Sequence, residues 1–437
     1  FLNEKALLFF SAESQMTRSF AQNSTRITLH RKGEDRYTKI SFPVMHGIYA
    51  EIETRDHIFR FNLNHEITRA KGKTNEWLNP SEWMKRTVGN DWVYYSTGGY
   101  TGVAEAIGEY YLPNLPYPTN SLLGGAPFHE KPVDRIRRHW HEMLAETAEN
   151  LTDPPEEIRQ FLDAVIANTP ERLESKAQAL FAVTGGRVSV LPPDARHVDY
   201  NVIPVNISRG CLYNCRFCRV KSGSHFSVLS EKAVHQQITD LKKIFGKDLA
   251  NYNAVFLGEH DALNAPTETI LSAARTARHE LGPADSYMKG CNLFFFGSAD
   301  SLLNKRESEF EALSRLGFHI YINIGLESPD PATLERIGKP LTKEKITRAY
   351  RFAERINALY PSIEITFNFV MDDHLPKTHY SSVFDLVKEH GGPNRSKGTV
   401  YFSPLRFDRP SKEDVYKFNR LKTAIPSPAY LYIIQRL

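Results

Sequence analysis

Three cysteines, Cys211, Cys215 and Cys218, stand in the run Ser208-Arg209-Gly210-Cys211-Leu212-Tyr213-Asn214-Cys215-Arg216-Phe217-Cys218. Their spacing is C-x3-C-x2-C. The run follows an apolar stretch, Val202 to Ile207, that reads as a strand. Three thiolates on one loop can each bind a different iron of a [4Fe–4S] cluster, which leaves the fourth iron open to a small molecule. Two plainer readings compete. Structural zinc wants four ligands, commonly in paired C-x2-C knuckles. Buried free thiols are common one at a time. The chain has four cysteines in all, and three of them fall within eight residues. That clustering favours the cluster.

The triplet, with the aromatic Phe217 before its last cysteine, resembles the radical S-adenosylmethionine (SAM) superfamily. The resemblance implies that the open iron chelates the amino and carboxylate groups of SAM. An electron from the cluster then cleaves the sulfonium, and a 5′-deoxyadenosyl radical takes a hydrogen atom from the substrate. The cofactors carry that chemistry, while the protein positions and shields them. The same resemblance places Phe217 near the adenine. It also implies a one-electron reductant of flavodoxin or ferredoxin type.

The elements that position this loop alternate as strand and helix. Candidate strands are 201–207, 253–257, 292–296, 318–324, 363–370 and 399–404. The first helix starts at Ser230, a good N-cap, and stops at Gly246. Gly282 and Gly317 stop the next two. Six such repeats imply a parallel sheet covered by helices. Pattern alone does not separate a flat sheet from a barrel. The resemblance implies a partial (β/α)6 TIM-like barrel over 191–410, with the site at the C-terminal ends of its strands.

Strand ends are therefore where SAM contacts are sought. Leu257-Gly258-Glu259-His260-Asp261 is similar to the family's glycine-glycine-acid motif, with Leu257 in place of the first glycine. The acid that meets the SAM ammonium is Glu259 or Asp261. Ser298 either bonds SAM or caps the helix that follows it. Gly325-Leu326-Glu327-Ser328 resembles the G-x-E-S signature of the branch with the elongator catalytic subunit and oxygen-independent coproporphyrinogen oxidase, which makes Glu327 a candidate. Leu334-Glu335-Arg336-Ile337-Gly338-Lys339-Pro340 resembles that branch too. Asn368 lies on the fifth strand. Asp372, Asp373 and His374 end it and read mainly as a solvated turn, and Arg406 is a candidate for an anionic group. Cys291 reads as a packed structural cysteine.

The fold class is α/β. An N-terminal α+β domain, residues 1–190, is expected on the substrate side or as a lid. Ile48, Ala50, Ile52 and Phe59, Phe61, Leu63 alternate as in a hairpin turning at 54–57. The aromatic stretch 91–128 reads as an irregular layer or a lid. A short helical tail, 411–437, follows the barrel. The 437 residues are 41% hydrophobic with a formal charge of +4, which neither demands nor excludes nucleic acid. No apolar run approaches membrane-spanning length, and no signal-peptide pattern opens the chain, so a cytoplasmic protein without membrane contact is expected. The leading function is a single-cluster radical SAM enzyme on an unknown substrate. Alternatives are radical modification of RNA or a peptide, and a non-catalytic iron–sulfur protein.

Overall fold

The computed structural model describes residues 16–37, 45–97, 111–117, 119, 126–213, 215–218, 224–391, 396–405 and 412–437. Arg406 and residues 98–110 of the aromatic stretch 91–128 lie outside them. An eight-stranded antiparallel meander opens the chain: β1 (Arg18–Gln22), β2 (Thr25–Lys32), β3 (Ile48–Glu53), β4 (His57–Phe61), β5 (Ile67–Gly72), β6 (Trp83–Arg86), β7 (Trp92–Ser96) and β8 (Leu112–Asn114). The β3–β4 hairpin turns where alternation placed it, with Thr54 Oγ1 accepting from the His57 N–H at 3.0 Å. The aromatic stretch is partly regular, since Trp92, Tyr94 and Tyr95 lie on β7. Pro113 is accommodated because β8 is an edge strand. Three helices, α1 (Lys131–Glu149), α2 (Glu156–Ala167) and α3 (Pro170–Thr184), follow. Ile27, Ile52, Phe59 and Phe61 of the sheet form one core with Val133, Ile136, Trp140 and Phe161 of the helices.

The second half is a wholly parallel seven-stranded sheet. Its order is β17 (Ala429–Leu431), β16 (Val400–Pro404), β15 (Ile363–Met371), β14 (His319–Glu327), β13 (Asn292–Gly297), β12 (Ala254–Phe256) and β9 (Ile203–Pro204). The helices are α4 (Glu231–Phe245), α5 (Thr267–Leu281), α6 (Ala299–Leu303), α7 (Glu307–Ser314), α8 (Pro331–Ile337), α9 (Lys343–Leu359), α10 (Thr378–His390) and α11 (Lys412–Ala424). Leu293, Phe295, Ile320 and Ile322 face the helices. Phe256, Phe294, Phe296 and Tyr401 join a separate core on the other face. That alternation is what a sheet buried on both sides requires.

The end of the chain differs from expectation. In the stretch 411–437, expected to be a helical tail, Lys412–Ala424 is helical as α11. Ala429–Leu431 is instead β17, a seventh strand parallel to β16. Pro426 and Pro428 force extended backbone before it, and a short apolar run does not distinguish strand from helix by periodicity. Among the described residues no helix is long and apolar enough to cross a membrane.

The linker into the parallel sheet, Pro193–His197, is a single 3-10 turn, and it plugs the inner face of the sheet. Asp194 is 1% exposed. Its two oxygens accept from Tyr401 OH at 2.8 Å and Thr366 Oγ1 at 2.9 Å. His197 stacks on Tyr321, centroids 4.8 Å apart. The last residues lie along the linker: Leu191 N–H donates to Gln435 O at 2.8 Å, Leu437 N–H to Val188 O at 3.0 Å and Tyr432 OH to Leu191 O at 2.7 Å.

Burial, reinforced by the nearby Glu364 carboxylate, pushes the Asp194 carboxyl up to about 7, against an ordinary value of about 4. The folded chain therefore holds this proton more tightly than the unfolded chain. The resulting stability is complete below about pH 4 and is lost as pH rises through about 7. Thermal scans across that window should show a shallower decline for Asp194→Asn than for the native chain. Equal slopes would assign the decline to other groups.

Candidate active site

The cysteine loop is held at both ends and in the middle. A short antiparallel pair closes its base: β10 (Ser208–Arg209) on β11 (Ser227–Val228). Tyr213 donates its hydroxyl proton to the Asp300 carboxylate, which also binds Lys345 Nζ at 2.7 Å. Arg216 Nη2 donates to Glu335 O at 2.6 Å, and Phe217 N–H to Ile337 O at 3.3 Å. The loop thus rests on α6 and on α8, the helix in the stretch 334–340. Cys215 is buried, while Cys211 and Cys218 are partly exposed. The Cys215 thiol, pushed up to about 11 mainly by burial, also feels Lys339, Glu327, Cys218 and Cys211.

Glu327 ends β14 at an irregularity. The pairing of β14 with β15 shifts register between Gly325 and Glu327, and Glu327 has φ +66°. A bulge of this kind re-aims a side chain. A Cβ on Gly325 would lie 2.6 Å from Glu327 Oε1, so a side chain there would have to displace that carboxylate. Glu327 Oε1 lies 3.4 Å from Lys339 Nζ, and both side chains are buried. Lys339 also lies over the Tyr213 ring, 5.2 Å from its centroid. Burial works against the lysine's charge, but Glu327 and the Cys215 and Cys211 sulfurs outweigh it, and the lysine pKa lies above its ordinary value. A permanent cation therefore sits between the cysteine loop and the end of β14. Lys339 was not among the residues singled out, although it lies in the quoted stretch 334–340.

The remaining strand ends sort by their hydrogen bonds. Gly258 has φ +94° beside Asn206, a conformation that favours glycine. Glu259 Oε1 is occupied by the linker: it accepts from Ser189 N–H, from Ser189 Oγ at 3.1 Å and from Val190 N–H at 3.3 Å. Asp261 is 1% exposed. Its Oδ1 accepts from Ser298 N–H at 3.0 Å, while its Oδ2 is buried with no donor. Ser298 caps α6, accepting from Ser301 N–H at 3.0 Å. Asn368 Nδ2 donates to Asn323 Oδ1 at 2.8 Å, and Asn368 Oδ1 is buried without a partner. Asp372 and His374 form a turn, with Asp372 Oδ1 accepting from His374 N–H at 2.8 Å, and Asp373 pairs with Lys417 at 2.7 Å. Cys291 precedes β13, at the opposite end of the strands from the cysteine loop. Asn323 was also missed. Its signal was a polar residue inside an otherwise apolar strand.

Residues 205–371 match the sequence model of the radical SAM superfamily. Over that stretch the chain is similar to a radical SAM domain. Members of this superfamily are enzymes that use a [4Fe–4S] cluster and SAM, and they need an electron donor. Among solved structures, a radical SAM methyltransferase from Sphaerobacter thermophilus is 15% identical, over 53% of this chain and 65% of that one, with TM-score 0.37. HydG, a maturase of the [FeFe]-hydrogenase, is 15% identical over 68% and 67%, TM-score 0.37. Coproporphyrinogen III oxidase (HemN) from Escherichia coli is 13% identical over 57% and 52%, TM-score 0.33. The chain thus spans just under two thirds of the Sphaerobacter enzyme. No curated protein matches it.

The donor set of this stretch fits the superfamily's cofactors. Among the described residues, no three Cys, His, Asp or Glu side chains are arranged to hold a single metal ion. Two orphaned acceptors, Asp261 Oδ2 and Asn368 Oδ1, stand at the strand ends where SAM would lie. Breaking the buried Glu327–Lys339 pair from one side should cost about 3–5 kcal/mol. In urea denaturation of the cluster-free chain, Lys339→Met should lose that much. The double variant Glu327→Gln/Lys339→Met should regain most of it.

Proposed function

We propose that this chain is a single-cluster radical SAM enzyme in which Cys211, Cys215 and Cys218 ligate the [4Fe–4S] cluster and Asp261 receives the SAM ammonium. The observation that carries the SAM assignment is the Asp261 carboxyl, buried with one oxygen held by Ser298 N–H and the other without a donor. A buried acceptor left unmatched is costly, and an ammonium group would satisfy it with a charge-assisted bond. Glu259, the alternative acid, spends Oε1 on the linker instead. When bound, the cluster and SAM supply reductive cleavage of the sulfonium and the 5′-deoxyadenosyl radical that takes a hydrogen atom from substrate.

The chain's own residues have separate parts in this reading. Ser298 positions Asp261 through its N–H while capping α6. Asn368, oriented by Asn323, offers its free oxygen to a hydroxyl of SAM. Phe217, on the loop fixed through Ile337, packs against the adenine. Gly258 lets the backbone approach closely. Glu327 contacts SAM, and Lys339 offsets negative charge beside the thiolates. The linker and Tyr432 fill the bore below, so substrate meets the radical from the C-terminal mouth. A small acidic electron carrier of flavodoxin or ferredoxin type supplies the electron. The RNA reading asks for a cationic groove leading to that mouth. The groove that Lys305, Arg348, Arg351 and Arg355 line lies instead on the outer face of α9.

Anaerobic reconstitution with iron, sulfide, dithionite and SAM should give 5′-deoxyadenosine, detected by chromatography, and Cys215→Ala should abolish both the cluster absorbance and the product. A reconstituted cluster that yields no 5′-deoxyadenosine would leave the non-catalytic reading standing. Asp261→Asn should raise the KM for SAM about tenfold. Glu259→Gln should leave that KM in place and lower the melting temperature. The reverse pattern would make Glu259 the SAM ligand.

A further inference from the structure

At the N-terminal end of the barrel strands, away from the cysteine loop, a polar cavity of about 80 Å³ lies between the meander and the barrel. Its barrel side is Asp248, Asn251 and Tyr252, just before β12, and Asn201, just before β9. Its other side is β4, β5 and β6. Arg60, Arg69, Lys85, Arg86 and Lys176 all line it.

The charges there do not balance. Glu51 is shared by Arg31 and Arg60, each at 2.6 Å. Glu66 is shared by Lys176 and Arg86, the latter at 3.8 Å. Asp199 is shared by Lys85 at 3.1 Å and Arg69 at 3.5 Å. The fourth carboxylate, Asp248, takes its hydrogen bonds from Asn62, Asn251 and the Leu63 N–H. Arg31 is half exposed and outside the lining, so among the described residues the five lining cations meet four carboxylates. Burial pushes the Asp248 carboxyl up to about 7 and lowers the Lys85 and Arg86 pKa values, so the charged forms on both sides of the cavity are held at a cost. His46 adds no charge, since burial and then Arg69 push its ring down to about 4. Uncompensated buried charge is costly.

A second observation is independent of the charges. Tyr200 lines the same cavity and is 5% exposed, and its hydroxyl has no hydrogen-bond partner. Lys85 Nζ lies 5.7 Å from the centre of its ring. A hydroxyl buried without a partner is rare in folded proteins and calls for one. A site of about 10–15 Å³ on this scale holds one water. A volume of about 80 Å³ therefore admits a group of about five heavy atoms and excludes a nucleotide.

We infer that this cavity binds a small oxyanion, a phosphate or carboxylate group, held by Arg69, Lys85 and the Tyr200 hydroxyl. Planar guanidinium forks suit such oxygens, and bonds to charged oxygens are the strong ones. The site is separate from the proposed SAM site, and its test does not depend on catalysis.

Sodium phosphate titrated into the full chain at constant ionic strength should raise the melting temperature, as a ligand bound only by the folded state must, whereas sodium chloride should not. Tyr200→Phe removes a hydroxyl that makes no bond, so without phosphate this variant should melt no lower than the native chain. Its phosphate affinity by calorimetry should fall about tenfold. Arg69→Gln, which leaves Asp199 its bond to Lys85, should bind more weakly still. A parallel titration with sodium acetate separates the sources: an equal response marks a carboxylate ligand, and a response to phosphate alone marks a phosphoryl group. Equal shifts with phosphate and chloride, or unchanged affinity in both variants, would overturn the proposal and leave a cavity filled with water.

Discussion

The site depends on one buried ion pair. Glu327 at the end of β14 and Lys339 beyond α8 meet at 3.4 Å behind the cysteine loop, and neither would be tolerated there alone. The pair fixes the direction of the β14 bulge. It also puts a cation where three thiolates and a reduced cluster would concentrate negative charge. Tyr213, whose ring lies under Lys339, reaches on to Asp300. The loop, α6 and the end of β14 are therefore one connected unit. The left-handed backbone of Glu327 costs of order 1–3 kcal/mol, a strain that persists only because its surroundings fix the side chain so firmly.

Beneath that unit the bore is organised by a polar ladder. Asn368 donates to Asn323, Asn323 to Thr366 at 2.9 Å, and Thr366 to Asp194. Tyr401 donates to Asp194 from the other side. Every donor in the series points toward the plug, so the acceptor left over is Asn368 Oδ1 at the mouth. Such networks are specific because each member is matched except where a ligand can complete them. The linker turn at Pro193–His197 is thus more than a connection between halves. It terminates the ladder and, through Ser189 and Val190, holds Glu259.

Much of the barrel was legible in the sequence because its signals are local. Apolar runs marked the inner strands, Ser230 caps α4 by accepting from Ala233 N–H, and Gly246, Gly282 and Gly317 take positive φ at or just beyond helix ends. The C-x3-C-x2-C spacing pointed to the loop for the same reason. What stayed hidden depends on contacts distant in sequence. No local signal says that Glu259 faces Ser189 rather than a ligand, or that Asp194 will be buried between Tyr401 and Thr366. Ala429–Leu431 becomes a strand because β16 offers an open edge, not because of its own pattern. Ser298 was open between two roles, and its capping box with Ser301 shows how one residue can end a strand, start a helix and position its neighbour.

The two halves of the chain are joined by burying charge rather than by apolar contact alone. Lys85 of β6 reaches Asp199 and Asn201 just before the first barrel strand, Tyr95 of β7 donates to the same Asp199, and Asn62 reaches Asp248 before the second. Asp199 and Tyr200, with φ +50° and +68°, are two successive non-glycine residues in the left-handed region, where each costs about 1–2 kcal/mol. Backbone strain of that size is held only by the bonds around it. Here Lys85 and Tyr95 fix Asp199, beside Tyr200, whose buried hydroxyl has no partner. The plug that follows from the same linker supports the ladder under the mouth.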